Sequence, residues 1–158
     1  MKRILTALAT LALIALAPAA RAESDPVGDL VATVTSGNLP GTPDWQLRAT
    51  LYHIGAAGVG TMDALGCRVV AMRTVAVDPH LVPRRTLLFI PETVGLLMPD
   101  GRCHDGYWYA SDTGGAIRGN RIDLFTGRGS GSMRPMMRFN AATLSVRRAG
   151  VFRGCPPS

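Results

Sequence analysis

Short stretches with β character recur between residues 45 and 147, and they constrain the fold more than any other feature of the chain. Each is at most ten residues long, is rich in Val, Leu, Ile, Thr or aromatic residues, and is bounded by Gly, Pro or Asp. The six stretches cover residues 45–52, 68–77, 86–90, 107–111, 121–125 and 143–147. No window carries an apolar stripe at helical spacing, and residues 132–139 allow one helical turn that Pro135 interrupts. This pattern predicts a small all-β barrel or sandwich of about six strands with little helix.

The first 22 residues of the 158-residue chain differ in composition from the rest. A basic start, an almost unbroken Ala, Leu and Ile run, and a small-x-small pattern at residues 20–22 follow one another. These three regions predict a Sec-type signal peptide over residues 1–22. A transmembrane anchor is disfavoured because the apolar run, residues 4–16, is shorter than the roughly 20 residues that span a bilayer. We therefore expect a periplasmic or secreted protein without stable membrane insertion.

Residues 23–44 are rich in Gly, Pro, Ser and Asp, which predicts a flexible leader before a single domain over residues 45–158. Removal of residues 1–22 leaves 14 basic residues against 11 acids, so the formal net charge falls from +6 to +3. The arginines are dispersed and no reading helix accompanies them, so we expect no nucleic-acid partner. Lys2 is the only lysine, which excludes Schiff-base chemistry and a phosphate-loop lysine from the exported part.

Three cysteines, Cys67, Cys103 and Cys155, lie in the part of the chain that we expect to be exported. An oxidising compartment favours one disulfide and leaves one thiol. Cys155 lies in a Gly- and Pro-rich tail that offers no other reason to hold a thiol, Cys67 opens a Val-rich run, and Cys103 lies in a polar loop. We favour a Cys67–Cys155 disulfide, which would attach the tail to the domain. No Cys or His pair has the spacing of a zinc site, so we expect neither a metal nor a cofactor.

The densest chemical signal is the segment ASDTGGAIRGNRIDLFTG, residues 110–127. Asp112 ends one strand-like stretch and Asp123 lies in the next, 11 residues later, so a short connection can bring both carboxylates to one groove. Gly114 and Gly115 allow unusual backbone conformations or a close approach to a ligand. Asp78 ends an earlier stretch and either faces the same groove or begins a turn. Because Asp before Pro or before Thr-Gly-Gly is an ordinary turn former, these residues by themselves leave both interpretations open.

Residues 74–127 resemble the 3D domain, a family named for three aspartates that occurs in membrane-bound lytic transglycosylase A and in small secreted muralytic proteins. The resemblance rests on RTVAVDP at residues 73–79, on Val82-Pro83 with Thr86, and on DTGGAIRG and RIDLFTG within residues 112–127. It implies a double-psi β-barrel. It also implies cleavage of the β-1,4 bond between N-acetylmuramic acid and N-acetylglucosamine in peptidoglycan, where the muramic C6 hydroxyl attacks C1 and leaves a 1,6-anhydro end.

The resemblance also implies a role for each aspartate. Asp123 corresponds to the catalytic acid/base, Asp112 to its supporting partner and Asp78 to the first aspartate of the motif. Because the nucleophile belongs to the substrate, one carboxylic acid can protonate the glycosidic oxygen and then accept the proton of the C6 hydroxyl. Asp123 must then stay protonated near neutral pH, which requires burial or a nearby carboxylate, and Asp112 would supply that charge.

Candidate substrate-binding groups lie close to these acids in the sequence or in adjacent stretches. We expect the backbone at Gly114 and Gly115 to orient the sugar, and Arg118 to pair with Asp112 or to contact a substrate carboxylate or lactyl group. A surface ion pair of Arg118 is an equally open alternative. The aromatic candidates for a sugar platform are Tyr52, Trp108 and Tyr109. Core packing explains such aromatic residues equally well. The expected partner is the glycan strand of peptidoglycan, and the expected assembly is a monomer.

Two other functions are compatible with the same barrel, because a fold does not determine a function. One is a non-catalytic peptidoglycan- or polysaccharide-binding barrel of the expansin-like kind. The other is an ordinary hydrolase that pairs Asp78 with Asp123. Three aspartates favour an enzyme, whereas the lack of the large accessory domain of membrane-bound lytic transglycosylase A favours a binding protein. The segment of residues 90–107 is longer than such a domain needs, and we expect it to form a flap at the edge of the groove.

Overall fold

The computed structural model describes residues 42–157, and its strands form a closed barrel. The six strands are β1 (Trp45–Ile54), β2 (Thr74–Val77), β3 (Thr86–Phe89), β4 (Tyr107–Asp112), β5 (Arg121–Arg128) and β6 (Thr143–Val151). Two 3₁₀ helices, Pro91–Thr93 and Ser130–Phe139, lie between strands. The predicted fold class, a small all-β barrel of about six strands with little helix, is confirmed.

The expected signal peptide and nearly all of the expected leader lie outside the described residues. Within residues 42–157, no helix has the length and apolar character that a membrane crossing requires.

The strands follow the order β1–β5–β2–β4–β3–β6 around the barrel, and β6 pairs with β1 to close it. Two pairs, β1 with β5 and β2 with β4, are parallel, and the other four are antiparallel. This mixed topology agrees with the double-psi barrel that the 3D resemblance implies. It also places β1 beside β5, although most of the domain separates these two strands in sequence.

The barrel interior is filled by aliphatic side chains and a few aromatic ones. All four residues of β2 are buried. Trp108 is fully buried, and its indole N–H donates to Thr93 Oγ1 at 3.0 Å. The largest fully buried apolar side chains besides it are Leu47, Leu88, Ile90, Ile122, Leu124, Phe125, Met136 and Leu144. Close packing of these residues limits the register of each strand, and with it the position of the polar residues that alternate with them.

The Val-rich stretch of residues 68–77 is strand only over Thr74–Val77, which corrects the longer strand predicted there. Its first part forms a turn, in which the Thr74 backbone N–H donates to Val70 O at 2.9 Å and the Val70 N–H donates to Thr74 Oγ1 at 2.9 Å. Met72 takes a positive φ of 56° inside this turn, a conformation that no strand residue adopts.

The segment that predicted a single helical turn forms a longer element, the 3₁₀ helix Ser130–Phe139, with Pro135 inside it. Its buried residues, Met136 and Phe139, are three positions apart. This spacing matches the three-residue turn of a 3₁₀ helix, so both side chains reach the core from one face.

The segment of residues 90–107, expected as a flap at the groove, is instead packed against the barrel. It contains a tight hairpin in which Leu97 and Cys103 form a bridge. The buried ring of His104 anchors this hairpin, since its Nε2 lies 2.6 Å from Met72 O. The hairpin borders an apolar cavity of about 540 Å³ and does not line the pocket that holds the aspartates.

Cys67 and Cys155 form a disulfide, the pairing that the sequence favours, with their Cα atoms 5.5 Å apart. Cys103 is an exposed free thiol. The disulfide joins the C-terminal tail to the segment that follows β1, and that segment forms one wall of the pocket described next.

Candidate active site

A polar pocket of about 190 Å³ lies where β1, β5, β2 and β4 are neighbours in the barrel. Its lining residues are Tyr52, Gly58, Val59, Gly60, Met62, Ala76, Asp112, Thr113, Gly114 and Asp123. Four of the residues predicted from the sequence are thus brought together: Tyr52, Asp112, Gly114 and Asp123. Three others, Asp78, Gly115 and Arg118, do not line the pocket.

Ala76 separates the two aspartates of the pocket. On β2 it is the register partner of Asp123 on one side and of Asp112 on the other. Because adjacent strands are about 4.8 Å apart, the two aspartate backbones are roughly 10 Å apart. The small Ala76 side chain leaves the space between the two carboxylates open, and this space is the pocket.

Asp112, at the end of β4, accepts three hydrogen bonds. Its Oδ2 accepts from the Tyr52 hydroxyl at 2.8 Å. Its Oδ1 accepts from the backbone N–H groups of Thr113 at 2.8 Å and Ala64 at 3.1 Å. Every contact uses the carboxylate as an acceptor, which is the only role available to an ionised carboxylate. Three donors therefore fix the position of the Asp112 carboxyl group.

Asp123, in the middle of β5, has a different environment. It is half-buried, and its one side-chain hydrogen bond within residues 42–157 comes from Thr50 Oγ1, which donates to Oδ1 at 2.8 Å. Burial raises the pKa of the Asp123 carboxyl, and the charge of Asp112 raises it further. The Thr50 hydroxyl and the positive charge of Arg121 act in the opposite direction without cancelling the increase.

The pocket thus holds two carboxyl groups with different properties. Three donors hold Asp112 as an acceptor, whereas burial and the Asp112 charge favour the protonated form of Asp123. When neighbouring environments separate two carboxyl groups in this way, one acts as a proton donor and the other supplies negative charge. Asp123 is the residue suited to general acid chemistry.

Tyr52 acts here through its hydroxyl as well as its ring. The hydroxyl donates to Asp112, and the ring packs against Phe125 with centroids 5.2 Å apart. Burial, together with the neighbouring Asp112 charge, raises the pKa of Tyr52 far above its ordinary value, so the hydroxyl keeps its proton. Tyr52 therefore orients Asp112 in addition to forming part of the pocket wall.

Asp78 lies at the end of β2 and is held by backbone groups. Its Oδ2 accepts from the Gly119 N–H at 2.7 Å and its Oδ1 from the His80 N–H at 3.0 Å. These two bonds hold the pKa of Asp78 below its ordinary value, and the charge of Arg118 acts in the same direction. Asp78 therefore fixes the loop between β4 and β5. Within residues 42–157, Arg118 forms no ion pair with Asp112, and its charge acts on Asp78 instead.

The two adjacent glycines, Gly114 and Gly115, do not adopt the unusual backbone conformations that glycine allows. Neither Gly114 nor Gly115 has a positive φ. A Cβ at Gly114 would lie 2.9 Å from Cγ1 of Ile117, so this position needs glycine for a close contact inside the loop. Gly115 is exposed and has open space around it. Gly114 remains a candidate for sugar contact, since it lines the pocket, whereas Gly115 does not.

Two of the three aromatic candidates for a sugar platform, Trp108 and Tyr109, do not line the pocket. Trp108 is fully buried and stacks on His104 with centroids 4.9 Å apart. Tyr109 packs edge-on against Phe152, at 5.1 Å. Core packing, the alternative left open by the sequence, accounts for both, and Tyr52 is the one aromatic residue that lines the pocket.

Several pocket residues were missed from the sequence. Thr50 lies two positions before Tyr52 on β1, so strand alternation could have placed it on the same face. The loop of residues 58–62 had no signal beyond its glycines. Asp63 follows it, is buried, and uses Oδ1 to accept from the N–H groups of Leu65 and Cys67 at 3.0 and 2.8 Å. Among residues 42–157, no three His, Cys, Asp or Glu side chains are grouped closely enough to hold a metal ion.

The comparison with curated proteins finds no match. Among solved structures, the chain is similar to the lytic transglycosylase MltA of E. coli with bound chitohexaose, at 23% identity and a TM-score of 0.41, over 60% of this chain and 30% of that one. It is also similar to LtgG of Burkholderia pseudomallei, at 24% identity and a TM-score of 0.38, over 60% of this chain and 28% of that one.

A third similar structure is a membrane-bound lytic murein transglycosylase from Agrobacterium tumefaciens, at 30% identity and a TM-score of 0.37, over 56% of this chain and 24% of that one. This chain spans less than a third of each of these three proteins. Residues 73–134 match the model of the family described as the 3D domain, and this range includes all three aspartates. The chain therefore contains a 3D domain, which spans residues 73–134.

Proposed function

We propose that this domain is a peptidoglycan lytic transglycosylase that cleaves the bond between N-acetylmuramic acid and N-acetylglucosamine and leaves 1,6-anhydro ends. The observation that carries the proposal is the raised pKa of Asp123 in a pocket that also contains Asp112. The 3D domain supports it, because the matched range contains both residues.

The proposed reaction needs one group that first gives and then takes a proton. Protonated Asp123 donates its proton to the glycosidic oxygen as the bond from that oxygen to the muramic C1 breaks. The Asp123 carboxylate then removes the proton of the C6 hydroxyl while the C6 oxygen bonds to C1. The Asp112 charge, held in place by Tyr52, stabilises the positive charge that develops at the sugar ring. No second catalytic carboxyl group is needed, which agrees with the position of Asp78 outside the pocket.

We also propose that the protein acts outside the cytoplasm. The signal-peptide pattern of residues 1–22 supports this location, and so does the Cys67–Cys155 disulfide, since disulfides persist in oxidising compartments. The substrate would then be the glycan strands of the cell wall.

Digestion of purified sacculi tests the proposed function. We expect the protein to release muropeptides that end in 1,6-anhydro-muramic acid, which mass spectrometry distinguishes from reducing ends because they lack one water. Release of reducing ends would identify a hydrolase instead. Binding to sacculi without release of any product would identify a non-catalytic, expansin-like binding barrel.

The Tyr52 hydroxyl offers a second, smaller test. We expect Tyr52→Phe to lower the initial rate of glycan cleavage by about 10-fold, since a hydrogen bond to a charged group is lost while Asp112 keeps its two backbone donors. Tyr107→Phe is the matched control, because Tyr107 is exposed and packs on Phe89 away from the pocket. Equal rates for the two variants would contradict the role assigned to Tyr52.

A further inference from the structure

Two arginines lie at the end of the β1–β5 pair, next to the pocket. Arg48 on β1 and Arg121 on β5 are register partners, two residues before Thr50 and Asp123 on the same two strands. Side chains two positions apart on a strand project from the same face. The hydrogen bond between Thr50 and Asp123 identifies this face as the one that carries the pocket. Both guanidinium groups therefore project beside Asp123.

These two guanidinium groups lie at the surface of the barrel. Both residues are exposed, and no hydrogen bond or ion pair involves either guanidinium within residues 42–157. By contrast, Arg73 and Arg102 are paired with Asp105 and Asp100. Like charges on opposed residues of neighbouring strands destabilise a sheet. The two arginines thus place like charges side by side next to Asp123, on which the charge of Arg121 acts. Such a local conflict is typical of binding sites.

We propose that Arg48 and Arg121 form a subsite for the free lactyl carboxylate of a muramic acid bound beside Asp123. This inference rests on the proposed function. Two residues of strand span roughly 7 Å, a distance comparable to one sugar ring. A muramic acid whose C1 lies at the Asp123 carboxyl can therefore present its lactyl group to the arginines. Guanidinium groups bind carboxylates through short, charge-assisted hydrogen bonds, often two at a time.

The subsite determines which glycan strands are preferred. Where a stem peptide is attached, the lactyl carboxyl group is consumed in an amide bond and carries no charge. Only strands without stem peptides present this carboxylate. The reaction that supplies the substrate is therefore an amide hydrolysis that removes the peptides. We assign to this pair the carboxylate contact expected for Arg118, because the charge of Arg118 acts on Asp78 and Arg118 does not line the pocket.

Calorimetric binding to matched oligosaccharides tests the subsite. The protein is the full chain with Asp123→Asn, which slows cleavage enough for binding to be measured. The ligands are peptide-free oligosaccharides of N-acetylmuramic acid and N-acetylglucosamine, whose lactyl groups are either free or methylamidated. We expect the free carboxylate to bind about 10-fold more tightly than the amide. Adding Arg48→Gln and Arg121→Gln should remove this preference and leave binding of the amide unchanged.

The control pair is Arg128→Gln with Arg134→Gln, which removes the same charge. Both residues are exposed, and Arg128 lies seven residues beyond Arg121 on β5, roughly 23 Å away. This pair should keep the preference. If the Arg48/Arg121 variant lost affinity equally for the free and the amidated ligand, or lost no affinity for either, the proposed subsite would be overturned.

Two further outcomes separate the subsite from the proposed function. One outcome is that peptide-bearing strands bind as tightly as peptide-free ones and lose affinity when Arg48 and Arg121 are replaced. In that case the carboxylate that the arginines bind belongs to the stem peptide, and the lactyl assignment is wrong. If the chain binds none of these glycans and wild type releases nothing from sacculi, the proposed function itself fails, and the subsite fails with it.

Discussion

Replacing Asp123 with Asn should reduce glycan cleavage by about 10²- to 10⁴-fold, the usual contribution of a general acid. Asn has nearly the same shape as Asp and can still accept the hydrogen bond from Thr50, so the barrel should stay folded. The measurement is the release of anhydro-muropeptides from sacculi by wild type and variant. Unchanged turnover in the Asn variant would show that another group donates the proton.

The same substitution should stabilise the protein at neutral pH. Because the folded state raises the pKa of Asp123, the stability that its protonated form contributes is complete below the unfolded pKa of about 3.9 and is lost as pH rises through the folded pKa. Asn stays neutral at every pH and avoids this loss. We therefore expect a higher Tm for Asp123→Asn at pH 7, and a Tm difference that disappears near pH 3.

Asp100 offers a control, because its pKa is shifted in the opposite direction from that of Asp123. Hydrogen bonds from Arg102 hold the pKa of Asp100 below its ordinary value, so its ionised form contributes stability that is present above the unfolded pKa and is lost as pH falls through the folded pKa. Asp100→Asn should leave cleavage unchanged and should not raise the Tm at pH 7. An equal rise in Tm for both variants would mean that loss of negative charge in general, not the pocket, explains the effect.

Removal of the disulfide should have the largest effect on stability. Cys67 and Cys155 are 88 residues apart in sequence. Closing a loop of that length in the unfolded chain corresponds to about 4 to 5 kcal/mol in the chain-entropy description. We expect the free energy of unfolding, measured in urea, to be lower by this amount in the double variant Cys67→Ser/Cys155→Ser. Addition of a reductant should lower the free energy of unfolding of wild type by a similar amount.

Cys103→Ser is the matched control, because Cys103 is an exposed free thiol. It should unfold at the same urea concentration as wild type. A double variant of Cys67 and Cys155 within about 1 kcal/mol of wild type would contradict the prediction, because the expected loss is several times the usual effect of a surface substitution.

The disulfide should also affect the pocket. Cys67 and Asp63 are joined by two hydrogen bonds: the Asp63 N–H donates to Cys67 O, and the Cys67 N–H donates to Asp63 Oδ1, both at 2.8 Å. Met62, next to Asp63, lines the pocket, and Ala64 donates its N–H to Asp112. Loss of the disulfide therefore loosens the wall that holds Asp112. We expect the double variant to bind glycan more weakly even where it remains folded.

Local sequence patterns predicted most of the strands. Alternating or β-branched stretches with turn residues at their ends locate all six strands, because such residues suit a half-buried pleated surface wherever it occurs. The failures have local causes. Residues 68–73 are rich in Val but form a turn, since the Thr74 hydroxyl accepts from the Val70 N–H and Met72 adopts a positive φ. Periodicity does not detect a side chain that bonds to nearby backbone.

Local sequence patterns did not predict the order of the strands around the barrel. Thr50 lies beside Asp123 because β1 runs parallel to β5, and the two residues are 73 positions apart in sequence. Likewise Tyr52 reaches Asp112 across 60 positions. No local pattern encodes such pairings, so strand alternation can place Thr50 on the same face as Tyr52 but cannot place either residue beside an aspartate.

The sequence by itself predicted a small all-β barrel or sandwich of about six short strands, in which Asp112 and Asp123 flank one connection. It could not tell that burial raises the pKa of Asp123, or whether Asp78 faces the pocket. Only the tertiary structure decided these points. A protonation state depends on burial and on the number of donors around each carboxyl group, and β1 and the loop after it supply those donors from distant positions in the sequence.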